Sequence, residues 1–393
     1  MIRWSEAALG DVAEISRSVV EPRDLPPETK YLGLEHIERG GRIIGVATVE
    51  SENVSSSKFE FSEGDILYGK LRPYLGKIAA PEFAGVCSTD ILPVRPGRDL
   101  ERRYLLHYLR QPKMVELANS RATGANLPRL APKELAKIRI PLPSLAEQRR
   151  IAAVLDQVDT LRAKRREAIT LLDDLARSIF LDMFGDPVSC NSLWDRKTIG
   201  ELGAVVTGNT PSRAKSENYG EGIEWIKTDN IRPPELNPSR AAERLTVAGE
   251  KAGRVVPAES ILVTCIAGSP ASIGNAVLAG RRVAINQQIN AFIPQGPLPR
   301  FMLEQIRVGK ALIQQKSTGA MTGLVNKTQF SSISLMVPPV GRQQEFVRRV
   351  ECVDSQRARN VRHLAALDEL FSSLQHRAFS GTLWDHEAPG EAA

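Results

Sequence analysis

The sequence predicts a mixed α/β (α+β) protein: two β-rich globular domains in a pseudo-two-fold arrangement, separated by an antiparallel pair of long coiled-coil helices. Three observations carry this prediction. The chain repeats itself at about half its length: Thr123 and Thr318, Pro143 and Pro338, and Gln148 and Gln343 are each 195 positions apart. Each half opens with short Val/Ile/Leu runs broken by Gly, Pro and Ser, such as Arg42 to Val49 and Arg254 to Pro257, the pattern of short strands and irregular loops. Each half closes on a long stretch without Pro or Gly, Ala146 to about Phe184 and Arg342 to about Phe379.

The repeat can be followed element by element. Trp4 precedes Leu9-Gly10-Asp11-Val12-Ala13, and Trp194 precedes Ile199-Gly200-Glu201-Leu202-Gly203. Tyr31 to Ile37 parallels Trp225 to Ile231. Gly64-Asp65-Ile66-Leu67 parallels Glu259-Ser260-Ile261-Leu262, each a turn feeding a strand. Leu75-Gly76-Lys77 parallels Ile273-Gly274-Asn275, and Ala122 to Ala125 parallels Ser317 to Ala320. Single pairs of common residues prove little, but their fixed order and near-constant offset make coincidence a poor explanation.

The Pro- and Gly-free stretches read as helices of roughly 55–60 Å, with a Pro-containing approach (Pro141 to Ser144; Pro338 to Gly341) and a Gly-containing stop (Gly185; Gly381). Apolar residues recur at heptad-like spacing in the first (Ile151, Val154, Val158, Leu161, Ala168, Leu172, Leu175, Ile179) and in the second (Phe346, Val350, Val353, Val361, Leu364, Leu367, Leu370, Leu374). Arg165 and Asn360 fall within the stripe, where a polar residue either fixes register or snorkels. Arg349, Gln356 and His363 also interrupt the second pattern. Two such helices pair most simply with each other, one following each globular domain, so that each half is a domain with its own helix and the pair acts as a ruler. The domain boundaries are 1–143, 144–187 (first helical region), 188–338, 339–384 (second helical region) and 385–393, a flexible tail.

Composition narrows the function. The 393 residues include 52 Lys plus Arg against 46 Asp plus Glu, a formal charge of +6, which permits a nucleic-acid partner without requiring one. Cys87, Cys190, Cys265 and Cys352 are dispersed, with neither a zinc pattern nor a disulfide framework, and read as buried or indifferent thiols in a reducing compartment. Charges in the N-terminal stretch oppose a signal peptide. The longest apolar run, Ile261 to Ala267, is too short to span a bilayer, so the expectation is a soluble cytoplasmic protein. There is no phosphate-binding P-loop, dinucleotide loop, metal-ligand cluster or nucleophile elbow, and the five histidines (His36, His107, His363, His376, His386) sit in no triad-like setting. Asn230 to Pro234 does not match the motif of an amino-methyltransferase. No catalytic residue and no metal ligand is expected in this chain.

The string Pro141-Leu142-Pro143-Ser144-Leu145-Ala146-Glu147-Gln148-Arg149-Arg150-Ile151, followed by Leu155-Asp156 and the long helix, resembles the central conserved region of specificity subunits of type I restriction-modification enzymes. Val337 to Phe346 resembles their distal conserved region, and Ala378 to Leu383 is similar to the way they end. The repeated Trp-x4-aliphatic-Gly-acid opening resembles the start of each target recognition domain. The resemblance covers essentially the whole chain. It implies that each globular domain reads one half of a bipartite, asymmetric double-stranded DNA site, that the helices set the unread spacer, and that they dock two methylation subunits. It further implies S-adenosylmethionine on those subunits, and ATP and Mg on restriction subunits that can join, with no cofactor and no catalysis in this chain.

Under that reading the candidate DNA-binding residues have base-edge or phosphate chemistry and stand in two basic, glycine-containing loops of the first domain, in two amide-rich stretches of the second that follow apolar runs, and in a loop of the second that matches the first domain's second loop. They are Lys70, Arg72, Tyr74 and Lys77, then Arg121, Thr123, Asn126 and Arg129 in the first domain, and Lys227, Asp229, Asn230, Arg232, Gln287, Thr318 and Lys327 in the second. Gln148, Ile151, Leu155, Gln343, Phe346 and Val350 are the candidate subunit-docking and spacer-helix residues. The cluster Arg162 to Arg166 either lines the DNA spacer or is a solvated helix face. Two other classes stay open: a non-catalytic two-domain protein scaffold, and a stand-alone DNA methyltransferase or nuclease with an unrecognised centre.

Overall fold

The computed structural model describes residues 4–189, 194–318 and 323–384. The chain folds as two compact units, Met1–Arg165 with His363–Ala393, and Arg166–Arg362. The predicted long helices run Leu145–Phe184 and Val340–Ser380. Among the described residues no helix is long and apolar enough to cross a membrane. Of the described cysteines, Cys87 and Cys265 are buried and Cys352 is exposed; Cys190 and the tail 385–393 lie outside the described residues.

In the first unit, Ala13–Ile15, Ile91–Pro96, Ile66–Gly69 and Ile78–Ala79 form a four-stranded antiparallel sheet in that order. A second sheet orders Val19–Val20, Lys58–Phe61, Gly85–Cys87, Lys30–Leu32 and Ala47–Thr48, with Lys30–Leu32 and Gly85–Cys87 parallel. Ser5–Ala8 pairs with Arg139–Leu142, bringing the two ends of the domain together. All four residues of Ile66–Gly69 are buried, because this strand is covered on both faces, and such strands read as unbroken apolar runs.

The second unit repeats the plan. Gly203–Thr207, Ile289–Pro294, Ile261–Thr264 and Ala276–Leu278 form the four-stranded antiparallel sheet. Arg244–Leu245, Tyr219–Ile226, Val283–Ile285 and Arg254–Val256 form the second, again with one parallel pair, Tyr219–Ile226 and Val283–Ile285. Arg196–Thr198 pairs with Ser334–Met336. The repeated aliphatic-Gly-acid string forms a one-turn helix in each unit, Leu9–Val12 and Ile199–Leu202. Gly10 is small for a reason: a Cβ there would lie 3.0 Å from the Cβ of Ala136.

The long helices begin and end as their sequence dictates. The Ser144 hydroxyl accepts the Glu147 N–H at 3.3 Å, an N-cap. Both helices stop one residue before a left-handed glycine, Gly185 (φ 82°) and Gly381 (φ 76°), the usual αL terminator.

Their packing differs from expectation in two respects. A compact unit is not a domain plus its own helix. The first unit packs residues up to Arg165 of the first helix together with the end of the second: Ile151, Leu155, Ala378 and Phe379 all enter its core. The second unit packs Phe180, Met183 and Phe184 together with Phe346 and Val350. In each unit the two helical segments run antiparallel: Glu147 meets Trp384 and Arg162 meets Asp368 in one, Asp173 meets Arg357 and Phe180 meets Phe346 in the other.

The apolar stripe is also shorter than the heptad pattern suggests. Leu161, Leu175, Val361 and Leu370 are exposed. The inward positions are held by arginines instead. Arg162 donates to Asp368 (2.6 Å) and Asp159 (2.7 Å) and stacks on Phe371 (4.3 Å), and Arg357 donates to Asp173 (2.6 Å). Arg349, Gln356 and His363 are exposed and do not interrupt the buried side. A heptad scan scores Leu over Arg, yet an arginine can bury its stem and ring-stack while its fork is paired.

Candidate nucleic-acid interface

In the first unit the two predicted loops are hydrogen-bonded to each other. Leu71 bridges Arg129, and Thr123 bridges Arg129 from the other side. The Arg72 N–H donates to Pro128 O (2.7 Å), the Leu130 N–H to Lys70 O (2.9 Å) and the Lys70 N–H to Asp90 O (2.9 Å). Thr123 and Arg129 exchange both backbone bonds, at 3.0 and 2.9 Å. Arg72, Thr123, Asn126 and Arg129 are exposed on this array, Tyr74 is 44% exposed beside it, and Lys70 is half-buried. Arg72 adopts a left-handed conformation (φ 50°), which is unusual for a residue with a side chain and turns the chain sharply into Pro73.

Two candidates in this unit point elsewhere. The Lys77 ammonium donates to Leu34 O (2.6 Å) and ties the loop to the domain instead of projecting from it. Arg121 is half-buried, with Nη1 shielded from solvent.

The second unit has the same frame. Ile266–Ala267 pairs with Gly323–Leu324, and Thr318 bridges Leu324. The Cys265 N–H donates to Gln288 O (2.8 Å) and the Val325 N–H to Cys265 O (2.8 Å), reproducing the bonds of Lys70 and Leu130. Thr318, Lys327 and Gln287 are exposed, with Gln287 accepting a hydrogen bond from Thr210. Gly319 and Ala320, part of the predicted loop match, lie outside the described residues.

Lys227 to Arg232 is a separate cluster. Asp229 and Arg232 are exposed, the latter donating to Asp229 O (2.6 Å). Lys227 pairs with Glu243 and lies 4.9 Å from the Trp225 ring centroid, while Arg213 grips the same carboxylate at 2.8 and 3.1 Å. Hydrogen bonds from Arg213 and then Lys227 hold the Glu243 carboxyl down at about 2. Asn230 corrects the expectation of a base-reading amide. It is 7% exposed, its Oδ1 caps the Lys227 N–H (3.0 Å), and its Nδ2 donates to Ser239 Oγ (3.1 Å) and Arg240 O (3.2 Å). A short turn needs an acceptor at that position, and a sequence scan for amides cannot tell a cap from a reader.

The six candidate docking residues are also placed differently. Gln148, Ile151, Leu155, Gln343, Phe346 and Val350 are all buried inside their own units. Gln148 Oε1 accepts the Glu101 N–H (2.8 Å), and its Nε2 donates to Asp99 O (2.9 Å) and Pro143 O (3.0 Å). Gln343 accepts the Leu298 N–H (2.9 Å) and donates to Pro338 O (2.8 Å). They fix helix to domain and present nothing to a second chain. The periodicity correctly marks a contact face, but it does not say which chain supplies the contact.

Sequence reasoning missed Asp90, Arg213 and Glu243, and also Asp156, which joins the first helix to Arg103 (2.8 Å) and to the buried His107 (2.7 Å). Their partners lie too far away in sequence for any local motif to expose them.

Together these features define a duplicated α/β protein whose two units present matched loop arrays, each unit braced by segments of two long helices. The sequence profile of the type I restriction modification DNA specificity domain matches residues 1–171 and 191–365, and the chain belongs to that family. It is 29% identical over 257 residues to the type I restriction enzyme EcoDI specificity subunit of Escherichia coli, a match covering 64% of this chain and 51% of that protein, so the chain spans about half the length of that curated relative. It is 23% identical over 337 residues to the putative type I restriction enzyme MjaX specificity subunit of Methanocaldococcus jannaschii, covering 79% and 75%. Its fold is similar to a chain solved in work on complex assembly and conformational transition of the type I restriction-modification system, with a TM-score of 0.57 and 21% identity over 97% of this chain and 98% of the other.

Proposed function

We propose that this chain is the DNA-specificity subunit of a type I restriction-modification assembly, each unit reading one half of a bipartite duplex site. The observation that carries this reading is the pair of loop arrays: the same backbone frame, built at an offset of 195 residues, displays Arg72, Asn126 and Arg129 in one unit and Gln287, Thr318 and Lys327 in the other. A shared frame with different side chains suits the reading of two different half-sites, because phosphate contacts position a protein and base-edge contacts specify the sequence.

In this reading the helices set the unread spacer. Two methylation subunits, which bring S-adenosylmethionine, dock on surfaces other than the six buried residues. Restriction subunits, when they join, bring ATP and Mg. Catalysis belongs to the partners.

The test is to express the chain with a methylation subunit in cells and sequence the methylome by long reads. The expected result is one bipartite, adenine-methylated motif, of which exchange of residues 1–143 for another such domain alters one half only. Absence of a bipartite motif, or alteration of both halves, would overturn the reading.

A further inference from the structure

We infer that Arg129, held by Asp90, reads a guanine in the half-site of the first domain, and that Asp90 is the positioning residue that makes this readout directional. The inference rests on the DNA-reading function proposed above and assigns one position of that site its chemistry.

Arg129 is fixed to an unusual degree for an exposed arginine. Its N–H and C=O both bond Thr123, and its neighbours Pro128 and Leu130 bond Arg72 and Lys70. The side chain is fixed as well: Nε donates to Asp90 Oδ1 (3.0 Å) and Nη2 to Oδ2 (3.4 Å), while Nη1 makes a long contact with Leu127 O (3.5 Å). Asp90 is itself located, because its carbonyl accepts the Lys70 N–H of the same array. The arginine side chain nevertheless remains 45% exposed.

A guanidinium has five N–H donors. The bonds to Asp90 and Leu127 engage three, which leaves one N–H on each terminal nitrogen facing away from the carboxylate. Two parallel donors match the O6 and N7 acceptors on the major-groove edge of guanine.

The carboxylate also argues against a phosphate contact. Phosphate binding draws on net positive charge, and Asp90 cancels much of the charge of Arg129. Neutralisation weakens a backbone contact but preserves a directional fork, whose rotamer freedom is already spent before DNA arrives.

The second unit supplies the contrast. At the matching nodes of the same frame stand Leu324 and Gln288. The Leu324 side chain has no donor, and Gln288 Oε1 accepts from Asn286 Nδ2 (2.9 Å). Guanine readout at this node therefore belongs to the first domain alone.

The experiment uses the full chain co-purified with its methylation subunit and duplexes carrying the methylome-defined site. One guanine at a time is replaced by 7-deazaguanine, which lacks the N7 acceptor. Wild-type complex is expected to lose about tenfold in affinity at one guanine of the first half-site. Arg129→Gln should bind less tightly and show no further loss at that guanine, with sensitivity in the other half-site unchanged. Asp90→Asn, which keeps the shape and removes the charge, should shrink the same 7-deazaguanine effect and relax that position in the methylome.

Independent losses from Arg129→Gln and 7-deazaguanine at every guanine, or an unchanged motif in both variants, would overturn the inference while the functional reading survives. Should Arg129→Gln fail to fold, as judged by its thermal melt, the Asp90→Asn result decides alone. Failure of the wild-type complex to mark any bipartite site would overturn both.

Discussion

Gln148 and Glu224 show what single buried polar groups do in this chain. Gln148 is 1% exposed and satisfies three backbone groups at the junction of the first domain with its helix. Gln148→Leu keeps roughly the same volume but removes the partner of one N–H and two carbonyls, so the full chain is expected to lose about 1–3 kcal/mol of stability, read by thermal or denaturant unfolding. Glu224 in the second unit behaves differently, through its charge. Burial opposes its ionisation, but hydrogen bonds from Arg281, the Ala241 N–H (3.0 Å) and Arg240 (3.1 Å) overcome that and hold its carboxyl down at about 2. A carboxyl depressed on folding stabilises above its unfolded value of about 4.3, and the contribution disappears as pH falls toward 2. Acid unfolding followed by the fluorescence of the adjacent Trp225 should therefore begin at higher pH in an Arg281→Met variant, and an unmoved acid transition would show that the pairing is inert. Neither residue advertises this in the sequence. Gln148 is legible as a repeat marker and as part of a family string but not as a buried tie, and the Glu224 partners lie 16 to 57 positions away.

At the scale of elements, the long helices were the most legible feature, because absence of Pro and Gly over a long stretch, a Pro-containing approach and a terminal Gly are local signals. Their packing was less legible. The helices look alike along their length in sequence, but they are buried only near the globular domains, where Phe180, Phe184, Phe301 and Phe346 cluster with ring centroids 5.0 to 6.0 Å apart. Phe346→Ala removes a fully buried ring from this cluster and is expected to cost about 3–5 kcal/mol, whereas Leu175→Ala, at a 43% exposed position of the stripe, should leave the melting curve nearly unmoved. Equal losses in the two variants would mean that the stripe is buried throughout. The small strands were legible as a class but not as sheets. The parallel pairing of Lys30–Leu32 with Gly85–Cys87 joins segments more than fifty residues apart, and no periodicity encodes that choice.

For the whole molecule, the 195-residue repeat predicts two similar folds, and both units carry a four-stranded antiparallel sheet and a mixed sheet with one parallel pair, the latter five-stranded in the first unit and four-stranded in the second. The candidate site divides along the same physical line. The loops at 121–129 and 317–327 were found by matching the halves and the loop at 70–77 by its composition, whereas the ion pairs that orient their side chains arise from long-range contacts and were not found. In the proposed function the helices are a ruler, and seven residues added to each extend it by about 10 Å. The methylated motif is then expected to keep both half-sites and lengthen its unread gap by up to about three base pairs, as read in the methylome; an unchanged gap would remove the ruler from the reading.

The partition of the helices between units also has a temporal consequence. The second unit is continuous in the chain, Arg166–Arg362, but the first is completed only by residues from His363 onward. As the protein leaves the ribosome, the N-terminal domain emerges first yet must wait for Ala378, Phe379 and Leu383 to close its core. The last-made domain can therefore finish folding before the first-made one, inverting the usual order of synthesis. Under the proposed function, translation of the second long helix is then the step that completes a pair of half-site readers.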